Sequence, residues 1–158
     1  MKKFALYLVF TLIVFAGQFL YSSHLVTGTP PTIERPSLNG QNALTSLATG
    51  PGLIYFWAKW CGVCSLMQSN VSSIHQTYPL LSVALRSGED TELKAYLNQQ
   101  ALNWPVVNDQ DGEIAKRYGV FAVPAIFVTN KNGKIVFTSA GYSSEWGLRV
   151  RLWLASWL

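Results

Sequence analysis

An α/β fold with a mixed central sheet is what this chain predicts, and three observations carry that expectation. Between Leu53 and Tyr118, apolar runs of strand length alternate with amphipathic segments of helical period. Two more strand-like runs, Ala125–Thr129 and Lys134–Thr138, flank the turn Asn130-Lys131-Asn132-Gly133 and lead into a last helical segment. The only two cysteines, Cys61 and Cys64, stand three apart where the first strand would pass to the first helix.

The elements follow in order. Lys2-Lys3 precede the uncharged apolar run Phe4–Tyr21, whose clearly polar members are Thr11 and Gln18. That run is near the lower limit for crossing a bilayer and longer than a usual signal-peptide core. No A-x-A-like cleavage site follows it, so residues 1–21 are expected to be a retained signal anchor, a transmembrane helix. The lysine pair places its start in the cytoplasm. Everything downstream, both cysteines included, is then expected outside the inner membrane, in a bacterial periplasm. Residues 22–36 carry Pro30, Pro31 and Pro36 and are expected to be a stiff linker. A single domain is expected over 37–158.

Within that domain, Leu53–Ala58 reads as a buried strand and Val63–Tyr78 as a helix closed by Pro79. Leu80–Leu85 is a second apolar strand, followed by a polar turn, Arg86–Asp90. Thr91–Gln100 reads as a helix with Leu93 and Leu97 on one face. Pro105–Asn108 is a short strand opened by its proline, Asp109–Gly112 a turn, and Glu113–Tyr118 a short helix that Gly119 stops. In the later hairpin, Asn132-Gly133 is expected to supply positive φ angles. Ser144 can cap a last helix over Ser144–Leu158, where Trp146, Val150, Trp153 and Trp157 follow helical spacing and are expected to pack into the core.

Composition excludes some function classes. Half of the +4 net charge comes from Lys2 and Lys3, and no basic stripe interleaves with aromatic residues, which reads nucleic acid out. A structural zinc site needs four ligands. The chain offers one cysteine pair, with His24 in the linker and His75 late in the first helix, so neither metal nor cofactor is expected. A plain structural disulfide is a poor use of the pair, because so short a loop removes little chain entropy. The pair suits redox exchange. Cys61, ahead of the helix, faces unpaired N–H groups and the helix dipole, which favour thiolate, and Lys59 adds positive charge nearby. Cys64 lies one turn deeper, able to attack a mixed disulfide formed at Cys61.

Phe56-Trp57-Ala58-Lys59-Trp60-Cys61-Gly62-Val63-Cys64, Tyr118-Gly119-Val120, Val123-Pro124-Ala125, Asn132-Gly133-Lys134 and Gly141 together resemble the thioredoxin superfamily. With Pro105-Val-Val-Asn-Asp-Gln-Asp-Gly112 they look like its membrane-anchored TlpA/ResA branch, and most of all like the suppressor-of-copper-sensitivity D-like proteins. The resemblance covers about residues 35–158. It implies a thioredoxin-like fold and a periplasmic thiol–disulfide oxidoreductase acting on protein thiols or disulfides. It also implies reduction as the direction, with a membrane-embedded electron-transfer partner. Cys61 would be the attacking thiol and Cys64 the resolving one. Pro124 would be a cis-proline, with Trp60, Val123 and Pro124 meeting the substrate chain. One departure stands out: thioredoxins carry a buried aspartate where this chain has Tyr55, and tyrosine is no carboxylate base at neutral pH. Glu89, Asp90 and Glu92 are the acids available as substitutes. The alternative function is a Cu(I) carrier using the same dithiol, since two thiolates suit a soft monovalent ion. No methionine cluster supports it, as Met1 and Met67 are the only two.

Overall fold

A computed structural model describes residues 24–40 and 50–158, together with Tyr7, Phe10 and Leu47. Its sheet has five strands: β1 (Gly52–Trp57), β2 (Leu80–Leu85), β3 (Val106–Asp109), β4 (Ala125–Thr129) and β5 (Ile135–Ala140). They lie in the order β3-β2-β1-β4-β5. β1 pairs parallel to β2 and β2 parallel to β3, while β4 runs antiparallel to both β1 and β5. The helices are α1 (Gly62–His75), α2 (Asp90–Gln99), α3 (Glu113–Arg117) and α4 (Glu145–Ala155). The expected mixed sheet is thus present, with the ends of the expected elements shifted by at most three residues.

β1 explains the layering. All six of its residues are buried, and alternate side chains point to opposite faces. Leu53, Tyr55 and Trp57 join Met67, Val71 and Ile74 of α1, Leu93 and Leu97 of α2, and Leu148, Leu152 and Ala155 of α4. Ile54 and Phe56 face the other way, onto Ile114, Ala115 and Tyr118 of the α3 region. There Phe56, Tyr118 and Phe127 meet with ring centroids 5.1–5.5 Å apart. A strand covered on both faces has no place for a polar side chain, which is why its sequence is one unbroken apolar run.

Residues 24–36 are not a free spacer. Leu25 and Ile33 are buried in the second core, where Ile54, Phe56 and Tyr118 also sit. The Val26 amide donates to the Tyr118 carbonyl, Gly28 pairs with Ile135 of β5, and the Tyr118 hydroxyl donates to the Pro31 carbonyl at 2.8 Å. Gly119 (φ +71°) belongs to this docking: a β-carbon there would lie 2.1 Å from the His24 carbonyl oxygen. The prolines suggested stiffness, but Leu25 and Ile33 between them carry the apolar surface that the α3 face of the sheet needs covered. The membrane-spanning run expected at Phe4–Tyr21 lies outside the described residues apart from Tyr7 and Phe10. Among the described residues no helix is long and apolar enough to cross a membrane.

Three other expectations change. Trp146, Val150, Trp153 and Trp157 are solvent-exposed, and Leu148, Leu152 and Ala155 form the buried face of α4. Both sets follow helical spacing, but they are offset by about half a turn. The smaller set fits between α4 and the sheet. In the β4–β5 turn only Gly133 has positive φ. The Asn130 carboxamide oxygen accepts from the Asn132 and Lys134 amides, both at 3.0 Å, so this is an Asx-stabilised loop rather than a two-residue turn. Asp109, expected in a turn, ends β3 and is fully buried. Its carboxylate accepts from the Ile114 and Ala115 amides at 3.1 and 2.8 Å, capping α3, and Arg35 lies 3.6 Å away. Burial pushes its pKa up, against those two amide bonds, which pull it down.

Two outcomes follow. Leu25→Ala should cost about 2–4 kcal/mol in denaturant unfolding, where a free linker would show no change. Asp109→Ala should cost about 1–3 kcal/mol by the same measurement, with Asp109→Asn recovering part of the loss.

Candidate active site

The β1–α1 junction builds the site. β1 ends at Trp57, Ala58 and Lys59 turn the chain, and the Cys61 amide donates to the Ala58 carbonyl at 3.2 Å. Cys61 is the N-cap of α1 in extended conformation, and its sulfur accepts from the Cys64 amide at 3.1 Å. Cys64 sits in the first turn, one face with Met67, Val71 and Ile74. The two sulfurs are joined as a disulfide across a Cα–Cα separation of 5.2 Å. Cys61 keeps 7% of its surface exposed and Cys64 only 1%, so an incoming sulfur meets Cys61 first. α1 has no acidic residue in its first turn. Its N-terminal amides are therefore free to stabilise negative charge on a reduced Cys61.

The loop before β4 closes the site from the other side. Val123-Pro124 is a cis peptide, as expected, and the Cys61 sulfur lies 3.6 Å from the Val123 carbonyl oxygen. The Pro124 carbonyl accepts from the Gly141 amide at 2.9 Å, tying the loop to the segment after β5. Trp60 is exposed beside the disulfide, its indole N–H donating to the Arg86 carbonyl at 3.1 Å. The Lys59 amide donates to the Ser87 hydroxyl at 3.1 Å and its ammonium pairs with Glu92 at 2.8 Å. The stretch 59–60 is thus latched to the β2–α2 loop at two points and to α2 at a third. Val63, Leu66 and Phe121, on the segments that carry the cysteines and the cis-proline, are also exposed. The structure therefore gathers Cys61, Cys64 and Val123 into direct contact, with Pro124 and Trp60 at the rim. Phe121 and Leu66 were not singled out from sequence, since an isolated apolar residue carries no sign of exposure.

The proton-handling groups differ from the sequence expectation. Tyr55 is buried with its hydroxyl donating to the Cys64 carbonyl at 3.5 Å, and burial raises its pKa well above the usual phenol value. It stays a neutral phenol. Of the three acids considered, Glu89 accepts from Gln110, Asp90 from Asn108, and Glu92 from Lys59. All three are exposed. Only Glu92 connects to the cysteine segment, through the Lys59 ammonium. Among the described residues no group of three or more His, Cys, Asp or Glu side chains is placed to hold a metal ion. Met67 is fully buried in the core between α1 and the sheet.

Comparison with known proteins agrees with this geometry. The AhpC/TSA family model matches residues 27–138. A thioredoxin-like protein of Haemophilus influenzae is 39% identical over 106 residues, covering 66% of this chain and 63% of that one. The thiol-disulfide oxidoreductase ResA of Bacillus thuringiensis is 31% identical over 111 residues, covering 67% and 64%. The match thus spans a little under two thirds of the length of these relatives. A crystal structure of a putative thiol:disulfide interchange protein DsbE from Chlorobium tepidum superposes with a TM-score of 0.74 over 83% of this chain and 98% of that one, at 22% identity. That likeness shows the shared fold. With the family model spanning residues 27–138, from the packed N-terminal stretch into β5, the chain belongs to the AhpC/TSA family of thioredoxin-like proteins.

Proposed function

We propose that this chain is a protein thiol–disulfide oxidoreductase that reduces disulfides in partner proteins. In this reading, residues 1–21 anchor it in the inner membrane and its folded domain works in the periplasm. The single observation that carries the chemistry is the disulfide at the start of α1 facing the cis Val123-Pro124 loop. The names of relatives such as ResA, a thiol-disulfide oxidoreductase, support the same activity. The anchor rests on Lys2-Lys3 and the uncharged run Phe4–Tyr21.

In the reduced enzyme the Cys61 thiolate attacks one sulfur of a partner disulfide. The Cys61–partner bond forms, the partner S–S bond breaks, and one partner thiolate leaves and takes up a proton. The Cys64 thiol then loses its proton and attacks the Cys61 sulfur. This restores the Cys61–Cys64 disulfide and releases the second partner thiolate, which is protonated in turn. The partner gains two electrons and two protons; this chain gives up the two electrons and the Cys64 proton, and solvent, which took the Cys61 proton when the thiolate formed, supplies the other. A membrane-embedded dithiol donor, reached through the anchor, would return the electrons. The Val123 carbonyl and amide are positioned to pair with an extended partner segment, and Trp60 and Pro124 flank it.

Cys64→Ser should trap partner proteins as mixed disulfides through Cys61, visible as reducible adducts on non-reducing gels. Cys61→Ser should trap none; equal trapping by both variants would sink the assignment. A redox titration of the full chain tests direction. A midpoint near the thioredoxin value of about −270 mV fits a reductase, whereas one near about −120 mV makes the chain an oxidant. Because Tyr55 stays neutral, Tyr55→Phe should leave the pH profile of exchange unchanged and cost under about 1 kcal/mol of stability. A shifted profile would show that the phenol takes part in proton transfer.

A further inference from the structure

A cavity of about 260 Å³ adjoins the disulfide site, formed by the end of β2, α3 and the loop that runs from α3 to the cis-proline. Leu85, Ala115 and Val120 give it an apolar lining, and Arg86 and Phe121 reach it from two different loops. Each of those two is tied to the sulfur site. The Arg86 carbonyl accepts from the Trp60 indole at 3.1 Å. Phe121 stands two residues before Val123, whose carbonyl oxygen lies 3.6 Å from the Cys61 sulfur. Arg86 also has φ +44°, in the left-handed region that favours glycine. A long cation kept at such a position points to a use for its side chain. Among the described residues its guanidinium makes no ion pair. Nη2 donates to the Asp111 carbonyl at 3.5 Å, and a β-carbon on Gly112 would lie 3.1 Å from Nε.

We propose that this cavity receives an aromatic side chain of the partner protein, two residues along from the cysteine that Cys61 attacks, stacked on the Arg86 guanidinium and the Phe121 ring. It rests on the protein-disulfide reading above and names the partner segments that suit it. Size favours a side chain: about 260 Å³ is below the roughly 300 Å³ at which small-molecule sites begin. Charge favours a neutral one. Arg86 and Lys116 line the cavity together with Asp111 and Glu113, so a carboxylate meets two acids and an ammonium meets two cations. Lys116 already faces Glu113 at 3.5 Å, and Asp111 is bonded to Arg35. Shape favours an aromatic ring, because a guanidinium plane and a phenyl ring both stack on π faces. Spacing gives the position. An extended segment advances about 3.3 Å per residue. A partner cysteine held at Val123 therefore brings the residue two along to Phe121, which is itself two residues from Val123.

The test uses the reduced full chain in neutral detergent, with short peptides whose single cysteine is a mixed disulfide with thionitrobenzoate. The Cys61 thiolate attacks the peptide sulfur and the thionitrobenzoate anion leaves; the Cys64 thiol then loses its proton, attacks Cys61 and releases the peptide thiolate, which is protonated. Each peptide carries Phe, Ala, Asp or Lys two residues before or two residues after its cysteine, and the rate of thionitrobenzoate release is read. At one of the two positions the Phe peptide should react about tenfold faster than the Ala peptide. Asp and Lys should be no faster than Ala. The Phe-to-Ala ratio should fall toward one in F121A, and also in R86K, since lysine keeps the charge but lacks the flat plane. A ratio taken within each variant cancels any change in overall reactivity. Equal rates for all the wild-type peptides overturn the subsite and leave thiol–disulfide exchange standing. A preference for Asp overturns it as well, and so does a Phe preference that both variants keep. A chain that attacks the small disulfide of thionitrobenzoate with itself but none of the peptides fails as a protein-disulfide enzyme, and the subsite falls with that reading.

Discussion

Burial of β1 on both faces is the constraint on which the other elements depend. Its odd and even residues feed two separate cores, so one set of helices must cover each side. On one side α1, α2 and α4 do this. On the other the short α3 is too small to cover Ile54 and Phe56 alone, and the stretch from Leu25 to Ile33 completes the layer. The same strand delivers the chain to Cys61 in a fixed direction. Its last residues are locked in the core, so the cysteine segment emerges at one place over the end of the sheet.

That position decides the chemistry. The helix that begins at Cys61 offers backbone N–H groups and a positive dipole end, with no acid to offset them. The cis-proline loop puts a backbone carbonyl beside the same sulfur. Cys64, one turn deeper, is shielded by the core that α1 shares with β1. An asymmetric pair results, one sulfur accessible and one enclosed. Tyr55 beneath Cys64 is neutral and buried, so proton traffic at the enclosed sulfur is not set by a carboxylate from β1. The charged pair closest in the chain to the cysteines, Lys59 with Glu92, lies on the surface and links the cysteine segment to α2.

α4 shows how one helix can serve two surfaces. Its leucines fill the space left by α1 and the sheet, and larger tryptophans would not fit there without strain. They stand outward as a result. Packing alone gives no reason for three tryptophans on the solvent side.

The sequence by itself determined the strand and helix order, the antiparallel hairpin, the redox-active spacing of Cys61 and Cys64, the cap at Ser144 and the special place of Pro124. Each depends on residues near one another in the chain: a two- or 3.6-residue period, a proline that cannot donate, a hydroxyl beside a helix start. Tertiary structure decided what depends on distant partners. It set which of two equally periodic stripes of α4 faces inward, because only the room left by α1, β4 and β5 selects the smaller one. It turned the proline-bearing stretch after His24 into a core layer, because the surface it covers is supplied by β1 and Tyr118, far along the chain. It also buried Asp109 as a cap, because the amides it meets and the Arg35 opposite come together only when β3, α3 and the N-terminal stretch are assembled.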